Sequence, residues 1–129
     1  MVSNKVYAQE HTIEYYEKQL LLVHDSLKPQ LHNKLYWQYS KVDIEKAHMH
    51  AQKGLKLAKQ LKNMNEEFGM LICLGSYYQS TGKLLLALQE YDKALLLSDA
   101  LSEFHQGYAI HTIAQILIEL NPQRSFLLF

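Results

Sequence analysis

Seven histidines are the residues of this chain with the most chemistry to offer. Imidazole is a common metal ligand and a general base near neutral pH. The spacing argues against both uses. His48 and His50 stand two apart, and helical neighbours two apart point to different faces. His24 and His32 are separated by Pro29, a helix breaker. His105 and His111 lie six apart, which is not a chelating spacing. The chain has no His-Glu-x-x-His run and no cluster of Cys and His ligands. These are therefore expected to be surface or groove histidines, with no bound metal and no cofactor.

The other candidates for chemistry are weaker still. Cys73 is the single cysteine, and it sits beside Leu74 in a packed helical register, where a free thiol is usually structural. Thr81-Gly82-Lys83 superficially resembles a phosphate loop, but it lacks the upstream glycine and the following Ser or Thr. No Gly-rich nucleotide fingerprint occurs, and no pair of carboxylates stands out as general acid and base. An enzyme is not expected.

Composition narrows the class. Lys+Arg and Asp+Glu both number 13, so the formal net charge is zero. That balance lacks the electrostatic footprint of a nucleic-acid binder and the basic surface of a protein held to anionic lipid. With Gly 5 and Pro 2, turn residues are too few for a many-stranded β fold, and long helices with short loops fit better. One cysteine allows no intramolecular disulfide, consistent with a reducing compartment. The start of the chain has no apolar run of signal-peptide length, and runs such as Leu84 to Leu88 are far shorter than the roughly 20 residues that span a bilayer. The expectation is a soluble, cytoplasmic, single domain over residues 1–129.

The elements that must position any site are helical throughout. Ile13, Tyr16, Leu20, Val23 and Leu27 follow a helical period, and Pro29 either ends that helix or opens the next in its first turn. A second helix carries Leu31, Leu35, Tyr36 and Tyr39. Asp43 is a plausible N-cap for a third, with Ile44, Ala47, Ala51, Leu55, Ala58 and Leu61 on one side. Asn63 and Asn65 mark the next break, and Phe68, Leu71, Leu74 and Tyr78 belong to a fourth helix. Gly82 suits a left-handed cap before a fifth helix carrying Leu84, Ala87, Leu88, Tyr91, Ala94 and Leu95. The sixth runs from about Glu103 to Leu120 and stops at Asn121-Pro122.

These helices carry an internal repeat. Leu71-x2-Leu74-Gly75-x2-Tyr78, followed by Ala87-x3-Tyr91-x2-Ala94, places small residues where two helix backbones approach and large ones around them. Leu35-Tyr36-x2-Tyr39 with Ala47, Ala51 and Gly54 repeats it upstream, and Ile110-x2-Ile113-Ala114-x2-Leu117 repeats its first half downstream. The spacing is about 40 residues against a basic period of about 34, and the extra residues lengthen the helices by about one turn. The pattern resembles the tetratricopeptide-repeat (TPR) superfamily over residues 30–120, with Leu71 in place of the usual Trp and Asp99 where a Pro is common. In style it is similar to TPR regions of bacterial regulatory proteins. The resemblance implies an all-α, TPR-like α-solenoid of about six antiparallel helices: a capping helix over 9–28, repeat 1 over 30–62, repeat 2 over 66–101, the first helix of an incomplete repeat 3 over 103–121, and an apolar tail over 122–129.

It also implies a mode of action. TPR arrays bind peptides or proteins in the concave groove lined by the first helix of each repeat. The family's groove positions fall here on Asn33, Trp37 and Lys41, then Ile72, Ser76 and Gln79, then Tyr108, His111 and Gln115. Trp37 is either an anchor for a partner or a packing residue under the N-terminal helix. A clamp for acidic chaperone tails is not expected, because the second and third repeats supply no cation. The function expected from the resemblance is a non-catalytic scaffold or regulatory module, with a peptide-signal sensory domain as the alternative.

The last helix lacks its partner, and solenoid ends normally carry a polar cap. Ile110, Ile113, Ile116, Leu117 and Leu120, with Phe126, Leu127 and Phe129 of the tail, are expected to leave apolar surface. Three outcomes are open: self-association into a homodimer through Ile116, Leu120, Phe126, Leu127 and Phe129, continuation in a longer array, or a tail folded back over the sixth helix.

Overall fold

A computed structural model of the protein describes residues 12–121. Among the described residues are six α-helices: α1 (Ile13–Leu22), α2 (Lys28–Tyr39), α3 (Ile44–Gln60), α4 (Met64–Ser80), α5 (Leu84–Ser98) and α6 (Glu103–Leu120). No strand occurs among the described residues. Each helix packs against the next in the chain, and α2 also packs against α4.

The helix starts follow local chemistry. Thr12, Asp43, Asn63 and Ser102 each accept a hydrogen bond from the backbone N–H three residues on, capping α1, α3, α4 and α6. α2 and α5 are the exceptions, with Leu27 and Lys83 at their N-cap positions and no side-chain cap. Between α4 and α5 the chain turns through Gly82 at φ 79°, the left-handed conformation expected of it.

The first helix is shorter than the apolar period suggests. The stretch expected to be helical to residue 28 leaves the helix after Leu22: Val23 and His24 are extended, and a 3-10 turn spans Asp25–Leu27. His24 explains the break, since its Nδ1 accepts the N–H of Ser26 and caps the 3-10 turn. Pro29 then lies in the first turn of α2, where its missing N–H costs nothing, and it is buried.

Packing centres on α4. The run Phe68-Gly69-Met70-Leu71-Ile72-Cys73-Leu74 is apolar all round, and such a helix is stable only when enclosed. One side of α4 (Met70, Cys73, Leu74, Tyr77) meets Tyr36 of α2 and Ala47 and Ala51 of α3. The other (Phe68, Leu71, Ile72) meets Ala87, Tyr91 and Ala94 of α5 and Ala109 and Ile116 of α6. Two glycines lie at close helix contacts. A Cβ on Gly75 would collide with the Tyr91 ring, and one on Gly54 would meet Met70 Sδ and come within 2.9 Å of His32 Cβ.

Candidate functional site

The N-terminal turns of α4 and α6 and the middle of α2 line an open cleft of about 410 Å³. α2 contributes Asn33 and Trp37, one helical turn apart; α4 contributes Asn65, Glu66, Phe68, Gly69 and Ile72; α6 contributes Phe104, His105 and Tyr108. Caps Asn63 and Ser102 begin α4 and α6 just before these residues. Gly69 lets α2 approach, since a Cβ there would lie 2.8 Å from Asn33 Nδ2.

The cleft has an apolar floor and an aromatic rim. Phe68 and Ile72 are buried, whereas Trp37 is 39% exposed, Tyr108 42% and Phe104 75%. Phe68 meets His105 edge-on, with ring centroids 4.8 Å apart, and Tyr108 at 6.4 Å. Trp37 stands edge-on to the buried Tyr36 at 4.9 Å, which fixes one side of its ring and leaves the rest to the cleft. His105 Nδ1 lies 2.6 Å from Ser102 Oγ. Glu66 is the one carboxylate among the lining residues, and no Lys or Arg is among them. Burial pushes its carboxyl above the ordinary range, opposed by a hydrogen bond with the Gln30 side chain.

Of the nine groove positions named from the sequence, Asn33, Trp37, Ile72 and Tyr108 line this cleft. The other five do not. Lys41 is exposed in the turn after α2, and His111 and Gln115 are exposed further along α6. Ser76 stands beside the Tyr36 hydroxyl, which burial pushes up to about 12 and which lacks a well-formed hydrogen bond. Gln79 is held: it accepts from the Tyr91 hydroxyl at 3.0 Å and donates to Glu119 of α6. Glu66 and Phe104 have no place in the sequence reading, and Asn65 and His105 enter it only as a helix break and as a histidine without chelating spacing. The one available signal was the Phe104/Tyr108 spacing of a single helical turn.

The self-association residues also separate. Ile116 faces inward and is fully buried, so it is no part of an exposed apolar surface. Ile110, Leu117 and Leu120 are exposed on α6. Phe126, Leu127 and Phe129 lie outside the described residues.

The histidines hold the largest surprise. His32 of α2 and His50 of α3 are both buried, with Nδ1 facing Nδ1 at 3.0 Å. His50 Nε2 reaches back to Glu17 Oε1 of α1 at 2.9 Å, and Tyr39 stacks on its ring at 5.3 Å. Burial, then the charges of His50, Lys53 and Lys28, hold His32 down at about 4. Burial also lowers His50, against the raising pull of Glu17. A few residues along α3, His48 stacks on Tyr77 at 3.9 Å, and the Tyr77 hydroxyl donates to Glu45. These rings tie helices together, which differs from the surface or groove placement expected of them.

Cys73 is buried, and burial raises its thiol further from ionisation. Among the described residues no group of three or more His, Cys, Asp or Glu side chains is disposed to hold a metal ion, and no helix is long and apolar enough to cross a membrane. Compared with protein-family models, with curated proteins and with solved structures, the chain matches none.

Proposed function

We propose that this protein is a non-catalytic binding module of TPR type, taking a peptide or protein segment in the cleft between α2, α4 and α6. The observation that carries the reading is convergence. Four positions named by the repeat register, Asn33, Trp37, Ile72 and Tyr108, line one cleft. An apolar floor, half-exposed aromatics and flanking amides are the usual composition of a recognition surface.

Repetition in the packing supports the same reading. Tyr36 and Ala51 hold the positions in the first helix pair that Gly75 and Tyr91 hold in the second. Large and small have changed places between the two helices, and each pair still fills its gap: Tyr36 and Ala51 share one buried cluster, and Tyr91 covers Gly75. Compensation of that kind is what repeating helix pairs need to stack at one spacing. On this reading the partner is a protein or peptide, or a peptide signal, met in the cytoplasm, and neither nucleic acid nor membrane is a target.

The test is affinity capture from host lysate, comparing the wild type with a folded Trp37→Ala, Tyr108→Ala double variant. Partners captured by the wild type and lost by the variant support the cleft. Identical capture by both proteins overturns it.

A second reading is favoured by α6 alone. Ile110, Leu117 and Leu120 leave apolar surface on the last helix, which suits self-association into a homodimer. Light scattering across a concentration series tests it. A dimer that Ile110→Glu, Leu117→Glu dissociates supports this reading, and a monomer at every concentration overturns it.

A further inference from the structure

Glu66 stands where a first-turn glutamate usually closes a capping box, returning its carboxylate to the N–H of the cap residue. That role is taken here. The Asn63 N–H already donates to Ala58 O at 2.9 Å, while Asn63 Oδ1 accepts the Glu66 N–H at 3.2 Å. The Glu66 side chain therefore lines the cleft free of that role, with the Gln30 amide beside it and no Lys or Arg among the lining residues. A partly buried carboxylate without a cation is costly, and a ligand that supplies one recovers that cost.

The surrounding walls say which cation. Trp37 and Tyr108 present partly exposed rings at the same cleft, above the apolar floor of Phe68 and Ile72. Ring faces attract cations, and a guanidinium both stacks flat on them and pairs with a carboxylate in a fork. An ammonium is more strongly hydrated and does neither as well. Asn33 and Asn65 add amides that can pair with an extended backbone.

We infer that the occupant of this cleft is a partner polypeptide segment bearing an arginine next to an apolar side chain. The guanidinium sits against Glu66 and the Trp37 and Tyr108 rings, and the apolar neighbour covers Phe68 and Ile72. This inference rests on the cleft being the binding site.

The experiment pans a displayed random-peptide library on the intact protein, then titrates the enriched peptides by calorimetry on every variant, with Trp37 fluorescence as a second readout on the proteins that keep it. Trp37 is the single tryptophan, so the signal reports from the cleft. The expected peptides carry arginine beside an apolar residue. Replacing that arginine by citrulline, its neutral near-isostere, weakens binding by about tenfold or more, the range of a charge-assisted hydrogen bond. Glu66→Gln removes the difference between the two peptides. The citrulline comparison uses wild-type protein, so it stands even if the Glu66 variant folds poorly. Enriched peptides that need Trp37 and Tyr108 but bind equally well with citrulline overturn the arginine inference and leave the cleft intact. No enrichment, or enriched peptides that bind the Trp37→Ala, Tyr108→Ala protein unchanged, overturns both.

Discussion

His32 Nδ1 lies 3.0 Å from His50 Nδ1, so the two buried rings join α2 to α3 through one proton held between two nitrogens. A second proton would set N–H against N–H at that distance. His32 is held at about 4, well below its unfolded value of 6.5. Between those values the unfolded chain binds more protons than the folded one, so stability rises with pH. The stabilisation is complete above pH 6.5 and is lost as pH falls toward 4. For His32 alone it amounts to roughly 3 kcal/mol. Urea unfolding at a series of pH values measures it. A His32→Leu variant should show a flatter dependence over that window, and a slope equal to wild type would overturn the assignment.

Gly75 and Gly107 both lie inside helices, yet alanine should act in opposite directions at the two. At Gly75 the new methyl meets the Tyr91 ring, which is buried and anchored through its hydroxyl to Gln79. The expected loss is about 1–3 kcal/mol. Gly107 faces open space on α6, and alanine there should add about 0.5–1 kcal/mol through helix propensity alone. Paired denaturation curves check both signs.

Lys83 is a weak helix start. It offers α5 no side-chain acceptor, and its positive charge stands at the end of the helix that prefers anions. Lys83→Asp should raise stability by about 0.5–2 kcal/mol, whereas Asn63→Ala, which removes a working cap, should lower it by a similar amount. Equal effects of both changes would count against local capping as the cause.

Cys73 should report opening of the core. Its thiol is buried between α2, α3 and α4, and burial raises it away from the reactive thiolate. A thiol reagent should label it only as fast as the core opens, so Gly75→Ala should speed labelling. Immediate labelling of the native protein would contradict the burial.

Much of this protein is local and therefore legible in its residues. Helix starts depend on a side chain and a backbone N–H three residues away, so Asp43 could be read as a cap before any fold was known. The close approaches at Gly75, Ala87 and Ala94 follow from residue size at repeating positions, and those positions are buried. Tertiary structure decided what depends on how one helix is rotated against another. The apolar period carries Val23 and Leu27 on from α1, but the chain breaks at His24 and α2 restarts at Lys28. His32 and His50 read as unrelated because they lie on different helices, and only the α2–α3 packing brings their rings together. Ile116 and Leu117 are equally apolar neighbours, and the rotation of α6 buries the first and exposes the second. The same rotation turns Tyr108 into the cleft and leaves His111 outside it. Side-chain type and spacing determine which helices form; the angles at which their surfaces interlock determine which residues meet.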